Sequence, residues 1–291
     1  MFMKGIILAA GKGTRLYPAT KTVCKPLVPV YDKPLIYYPL SVLIQAGITD
    51  VLIIVPPNDL SPFINLFGDG SDLGINISYK EQKVQRGIAD AFVVGQKFIG
   101  NDSVCLILGD NIFYGECMKN AINKAVETNG NTIFGLKVDD PRPFGVVEFD
   151  KNGKAISIEE KPDVPKSNYI VPGLYFYDNN VVQVAKNLKP SARGELEITA
   201  VNDYYLKQGK LNVIALDNLI WLDAGTADSL LEASNTICKA QKESSTNIAC
   251  IEYEAYKKGY ITLEHLKTIG ESMRKTEYGR YILDVCRKEN K

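Results

Sequence analysis

Residues 4–25 read K-G-I-I-L-A-A-G-K-G-T-R-L-Y-P-A-T-K-T-V-C-K. The apolar run 6–10 has the length and composition of a buried strand. It breaks into Gly11-Lys12-Gly13-Thr14-Arg15, where glycines let the backbone turn tightly and approach a ligand. Successive backbone N–H groups in such a turn form a concave anion site. Arg15 and Lys25 add full positive charge, with Lys12 and Lys21 nearby. The segment therefore reads as a phosphate cradle at the carboxyl end of a strand. Two other phosphate loops are excluded. A dinucleotide turn needs G-x-G-x-x-G, but Leu16 stands at its third glycine, and no stretch supplies G-x-x-x-x-G-K-[ST].

Outward from that segment, apolar runs alternate with helical patterns through the first half of the chain. Strands are predicted at 5–9, 51–55, 75–79, 104–108 and 132–136, and helices at 35–46, 88–98 and 116–128. The first of these helices stops at Gly47 and the last near Gly130, since glycine commonly ends a helix. This order predicts βαβ units and a Rossmann-like, mostly parallel α/β sheet flanked by helices. Ligands on such sheets sit at the carboxyl ends of strands. That places 11–15, 82–87 and 109–111 along one edge. Between about 140 and 180, V-V-E-F-D, I-S-I-E-E-K and G-L-Y-F-Y separated by turns read as a β-rich insertion covering the edge of the site. A helix is expected from about 195 to 208, and another to about 242 with Thr226 as its N-cap. The last fifty residues carry two further helical patterns. The expected division is a core at 1–225, including the insertion, and a C-terminal helical extension at 226–291 that packs and oligomerises.

Composition narrows the chemistry. The chain has 291 residues, and Lys plus Arg equals Asp plus Glu at 34 each. No global field therefore recruits nucleic acid or an anionic membrane. No apolar run approaches the roughly 20 residues of a membrane span, and the expected location is the cytoplasm. The six cysteines are scattered without a C-x-x-C pair, which reads as reduced, buried thiols. His265 is the only histidine, so a His-rich metal centre is excluded. The chemistry must run on Lys, Arg, Asp and Glu.

Four local patterns fit that requirement. Asp110 follows the strand V-C-L-I-L, where a carboxylate facing a phosphate cradle suits a Mg²⁺ ligand. Asp223 in W-L-D-A-G-T is a second such carboxylate. Each alone could equally be a turn cap. Glu160-Lys161 pairs a sugar-hydroxyl acceptor with a phosphate-binding cation, or forms a surface ion pair. Gln82 with Gly87 opens a helix, and a glutamine amide offers both a donor and an acceptor to a pyrimidine edge.

Together these segments resemble the sugar-nucleotide pyrophosphorylases. Seven stretches carry the resemblance in order: 4–20, C-K-P-L-V-P-V-Y-D-K-P-L-I-Y-Y-P-L, L-G-D-N-I-F-Y-G, F-G-V-V-E-F-D, E-E-K-P, P-S-A-R-G-E-L-E-I-T and W-L-D-A-G-T-A-D-S-L-L-E-A-S. The resemblance implies a nucleotidyltransferase core of glycosyltransferase-A-like fold. It implies a Mg²⁺-dependent reaction of dTTP with glucose 1-phosphate to give dTDP-glucose and pyrophosphate, opening dTDP-deoxysugar (dTDP-rhamnose type) biosynthesis. The same reaction with UTP or another hexose 1-phosphate is the near alternative, and a non-catalytic nucleotide-sugar-binding protein the distant one. By the same resemblance Arg15, Lys25 and Lys161 are catalytic, and Asp110 and Asp223 hold the metal. Leu8, Ala10, Gly11, Gly13, Thr14, Gln82 and Gly87 contact the nucleotide. Asn111, Gly145, Glu160 and Val171 surround the sugar. A homotetramer with a second, regulatory nucleotide site is implied as well. The chain departs from the family pattern at Gln85 (usually Pro), Phe144 (Tyr), Pro172 (Thr), Ala224 (Thr), Ala227 (His) and Glu116 (His). None of these removes a charged group. The first three bear on base or sugar preference, and the last on the regulatory site.

Overall fold

The computed structural model describes residues 3–128, 130–217 and 219–290. Its strands are β1 (Met3–Leu8), β2 (Pro29–Val30), β3 (Lys33–Pro34), β4 (Asp50–Val55), β5 (Asn76–Glu81), β6 (Ser103–Leu108) and β7 (Asn111–Tyr114). There follow β8 (Asn131–Lys137), β9 (Gly145–Phe149), β10 (Ala155–Glu160), β11 (Tyr169–Ile170), β12 (Leu174–Tyr177), β13 (Leu211–Leu216) and β14 (Ile220–Asp223). Ten of them form one sheet in the order β10-β9-β11-β8-β12-β6-β1-β4-β5, with β13 also paired to β8. The pairs β5–β4, β4–β1, β1–β6 and β8–β13 are parallel. Following the pairings outward, β5, β4, β1, β6, β8, β13 and β9 point one way, and β12, β11 and β10 the other. The sheet is thus mostly parallel, as expected.

The central strands read as continuous apolar runs because both their faces are covered. Ile6 and Ile7 point to opposite faces of β1 and both are fully buried. On one face lie the helices Tyr37–Gln45, Leu60–Phe67 and Glu116–Thr128; on the other, Val181–Asn187 and Ile198–Lys207. Three helices close the chain, Ile251–Lys257, Leu263–Ser272 and Glu277–Glu289, and share the first face's apolar cluster.

Four readings of the sequence are corrected in detail. The pattern at 88–98 forms two short helices, Asp90–Val94 and Gln96–Ile99, divided at Gly95. A methyl group at Gly95 would stand 2.9 Å from the Ile6 side chain, so the close approach to β1 that this glycine permits coincides with the break. The helix expected from 195 begins at Ile198, after Glu197 in an extended conformation. The last fifty residues hold three helices where two were expected, because Ile251–Lys257 is only seven residues long. The fourth correction matters most for the site. The run 173–177 belongs to no insertion at the edge: β12 lies inside the main sheet between β6 and β8. All four of its residues are buried.

Because β13 lines one side of β8 over residues 131–136, β11 and β12 must share the other. Val171-Pro172-Gly173 crosses between them, and the sheet divides there. Val171 N–H donates to the Gly145 carbonyl at 2.8 Å, and Leu108 N–H to the Gly173 carbonyl at 2.9 Å. The fork opens at the carboxyl ends of β1 and β6, where the candidate site lies.

Candidate active site

The glycine turn after β1 folds back on itself. Gly13 adopts a left-handed φ of 60°, and a methyl group there would lie 3.0 Å from the Lys25 β-carbon. Thr20 Oγ1 donates to the Gly13 carbonyl at 2.6 Å. Residues 13–25 therefore form a compact loop that brings Lys25 beneath the end of the sheet, 6% exposed. Gly109 completes the approach: its N–H donates to Leu8 O at 2.9 Å, and an added methyl would meet the Ala9 backbone at 3.1 Å.

Asp110 and Asp223 meet through a two-stranded antiparallel ribbon. β7 pairs with β14 in a register that sets Asn111 opposite Asp223 and Phe113 opposite Trp221. Ala224 N–H reaches the Asp110 carbonyl at 3.4 Å. Lys25 Nζ lies between the two carboxylates, 2.6 Å from Asp110 Oδ2 and 3.8 Å from Asp223 Oδ1. Burial first, and then the Asp110 carboxylate, push the Asp223 carboxyl above the usual range, while Lys25 and Arg15 pull it back. Arg15 crosses over Gly225: a methyl at Gly225 would stand 3.0 Å from a guanidinium nitrogen and 3.3 Å from Asp223 Oδ2. Two carboxylates and two cations thus occupy one corner. The donor set is all oxygen, which suits a hard divalent ion held by one or two carboxylates and phosphate oxygens. Among the described residues no larger cluster of His, Cys, Asp or Glu could hold a metal.

A cavity of about 1090 Å³ runs from this corner into the sheet fork. Arg15, Asp110, Asn111, Gly145, Glu160, Lys161, Val171 and Asp223 all line it. At its far end Glu160 is engaged at both oxygens. Thr199 Oγ1 donates to Oε2, and the Arg193 guanidinium to Oε1 at 3.2 Å. Lys161 sits at a left-handed φ of 45°, an uncommon conformation for a residue with a side chain. Its N–H donates to Phe144 O at 2.9 Å, and its ammonium group is half exposed at the rim. Asn111, 3% exposed, makes three side-chain hydrogen bonds, to Trp221, to Gly173 and to its neighbour Asp110.

The remaining predicted residues lie elsewhere. Gln82 lines a separate cavity of about 480 Å³, and its Nε2 donates to Asp90 Oδ2 at 2.8 Å. Gly87, at φ 99°, backs onto Leu196, whose carbonyl would lie 2.6 Å from an added methyl. Leu8 ends β1, Ala10, Gly11, Gly13 and Thr14 shape the turn after it, and none of the five lines the larger cavity. Gln85 Nε2 donates to Ala10 O, tying the 82–87 loop to the glycine turn. His265 is far from the site, its ring against the Asp72 carbonyl at 3.0 Å.

Sequence reasoning did not place Trp221, Tyr175, Thr199, Thr226, Ser229 or Glu232 at the site, although all of them line the large cavity, nor Arg193. The first two lie within apolar, strand-like runs that carry no local site signal. Thr226 and Ser229 form a reciprocal capping box at the start of the helix Ala227–Ser244, and capping was the only signal they carried. Arg193 and Thr199 lay in a matching stretch, but nothing local marked them as partners of Glu160.

A glycine turn and paired carboxylates at the carboxyl edge of a mostly parallel sheet suit a nucleotide-handling transferase. The family model for nucleotidyl transferases matches residues 4–240, and the chain belongs to that family. It is similar to the glucose-1-phosphate thymidylyltransferase of Neisseria meningitidis, 53% identical over 98% of this chain and 100% of the relative. The Mycolicibacterium smegmatis enzyme of the same name is 50% identical over 99% and 100%. Among solved structures, a Bacillus anthracis protein named as a glucose-1-phosphate thymidylyltransferase, in complex with sucrose, superimposes with a TM-score of 0.74. It is 43% identical over 80% of this chain and 94% of its own. Among the described residues no helix is long and apolar enough to cross a membrane.

Proposed function

We propose that this nucleotidyltransferase joins dTTP to glucose 1-phosphate, forming dTDP-glucose and pyrophosphate. One observation carries the reading: a single cavity has Arg15, Asp110 and Asp223 at one end and Glu160 with Lys161 at the other. The sugar-phosphate oxygen attacks the α-phosphorus as the bond to the β-phosphate breaks, and pyrophosphate leaves with the electron pair. A phosphate monoester carries about −1.5 to −2 charge near neutrality, so it needs no general base. The barrier is electrostatic. Like charges 4 Å apart repel by about 1 kcal/mol per unit pair in water and about 4 at an effective dielectric of 20. Neutralisation and alignment are therefore the main tasks.

Arg15 faces the departing phosphates, Lys25 backs the triphosphate and Lys161 grips the sugar phosphate. Glu160 accepts a sugar hydroxyl, with Gly145 and Val171 shaping the wall and Gln82 and Gly87 meeting the base. Asp110 and Asp223 would hold Mg²⁺, which when bound supplies further positive charge to the phosphates. A homotetramer is what the family resemblance implies, and six free cysteines fit a reducing compartment such as the cytoplasm. Pyrophosphate release across a matrix of nucleoside triphosphates and hexose 1-phosphates tests the reading. dTTP with glucose 1-phosphate should give the highest kcat/KM. A preference for UTP would overturn the base assignment, and no turnover with any pair would leave a binding protein.

A further inference from the structure

We infer that Asn111 is a positioning residue which fixes the Asp110 carboxylate, and that the Trp221 indole N–H anchors it. This rests on the reading of Asp110 as a metal ligand. Asn111 is nearly inaccessible, at 3% exposure. Its Oδ1 accepts two hydrogen bonds, from Trp221 Nε1 at 2.8 Å and from Gly173 N–H at 3.2 Å. An amide oxygen has two lone pairs, so both are used. A flipped amide would set its own N–H groups against these two donors, and the orientation is therefore fixed. Nδ2 must then face Asp110, and it donates to Oδ1 at 2.9 Å.

Asp110 is thereby held at both oxygens, by Asn111 at Oδ1 and by Lys25 at Oδ2. The carboxylate cannot rotate without breaking one of these bonds. Removing a group that orients a ligating carboxylate typically costs about 10–100-fold in metal affinity. The chain of contacts Trp221–Asn111–Asp110 runs from the wall of the cavity to its charged corner. Trp221 and Asp223 sit two residues apart on β14, so their side chains leave the same face of the ribbon. One strand thus supplies a candidate ligand directly and steadies the other through Asn111. A wall residue acting through Asn111 on the metal carboxylate is a different role from contact with the sugar.

The test is Mn²⁺ binding to the full chain without nucleotide, read as free Mn²⁺ by electron paramagnetic resonance. Asn111→Ala should weaken binding about tenfold or more. Trp221→Phe keeps an aromatic ring but removes the donor, and should weaken it about threefold to tenfold. A role confined to the sugar would instead raise the KM for glucose 1-phosphate and leave Mn²⁺ affinity within twofold of wild type, which would overturn the inference. If Asn111→Ala does not fold, Trp221→Phe decides alone. Asp110→Asn separates the two readings. Loss of binding there, with affinity retained in both other variants, would sink the positioning role only. Retention in Asp110→Asn would remove the metal assignment beneath it.

Discussion

Replacing Lys25 with methionine keeps most of the buried stem and deletes the charge between Asp110 and Asp223. At an effective dielectric of 20, Nζ–O distances of 2.6 and 3.8 Å correspond to gross attractions of about 6 and about 4 kcal/mol. Desolvation of the ammonium offsets much of this. Both carboxylates keep about 30% of their side-chain exposure, so water screens the remainder. The net loss of folding stability should be about 2–3 kcal/mol, below the roughly 3–5 seen when a fully buried pair is broken. The loss of a fixed cation at developing phosphate charge should lower kcat/KM by about 10²–10³. Urea unfolding and pyrophosphate release measure the two effects on the same protein. The double variant Lys25→Met/Asp110→Asn should regain much of the stability, since no uncompensated charge pair remains, while staying inactive. A double variant as unstable as the single one would show that the loss lies in packing and refute the electrostatic account. So would a single variant with activity within fivefold of wild type.

Three further outcomes follow from the geometry. Gly173→Ala places a methyl 2.7 Å from Leu108 and 2.9 Å from Asn111 Oδ1; it should cost about 1–3 kcal/mol in unfolding free energy and depress kcat/KM. Unchanged values for both would mean that the sheet fork is softer than drawn. Burial lifts the Glu252 carboxyl above its ordinary 4.5, although the Tyr278 hydroxyl, Cys250 and Lys33 hold it back. The folded chain therefore keeps this proton more tightly than the unfolded one. The contribution of Glu252 to stability should fall as pH rises from near 4.5 through the folded value, so Glu252→Gln should gain on wild type across that interval. A difference between the two chains that stays flat with pH in denaturant titrations would contradict this. Finally, Trp221 is the only tryptophan and lines the cavity, so saturating glucose 1-phosphate should change the intrinsic emission. An emission spectrum indifferent to sugar phosphate, in an enzyme that turns over, would place the sugar elsewhere.

Much of the architecture was legible in the chain because its signals are local. Ile6 and Ile7 announce a strand covered on both faces, and Gly11 and Gly13 announce the turn that follows. A lone histidine at 265 excludes a His-rich metal centre without any coordinates. The errors have local causes too. Leu174-Tyr175-Phe176-Tyr177 follows a turn-rich, polar stretch, so it read as the end of an insertion, whereas its neighbours in the sheet are β6 and β8. Nothing within ten residues of Arg193 or Thr199 reveals Glu160 as the partner, because that meeting depends on packing of the helix Ile198–Lys207 against β10.

The sequence by itself determined which residues could bear charge and where strands end, since hydrophobic period and turn chemistry act over a few neighbouring positions. Only the tertiary structure decided that the Asn111 and Trp221 side chains, 110 positions apart, hydrogen-bond to each other and that the β7–β14 ribbon brings Asp110 beside Asp223. Strand register between distant segments is set by the summed packing of whole faces. No single residue type encodes it.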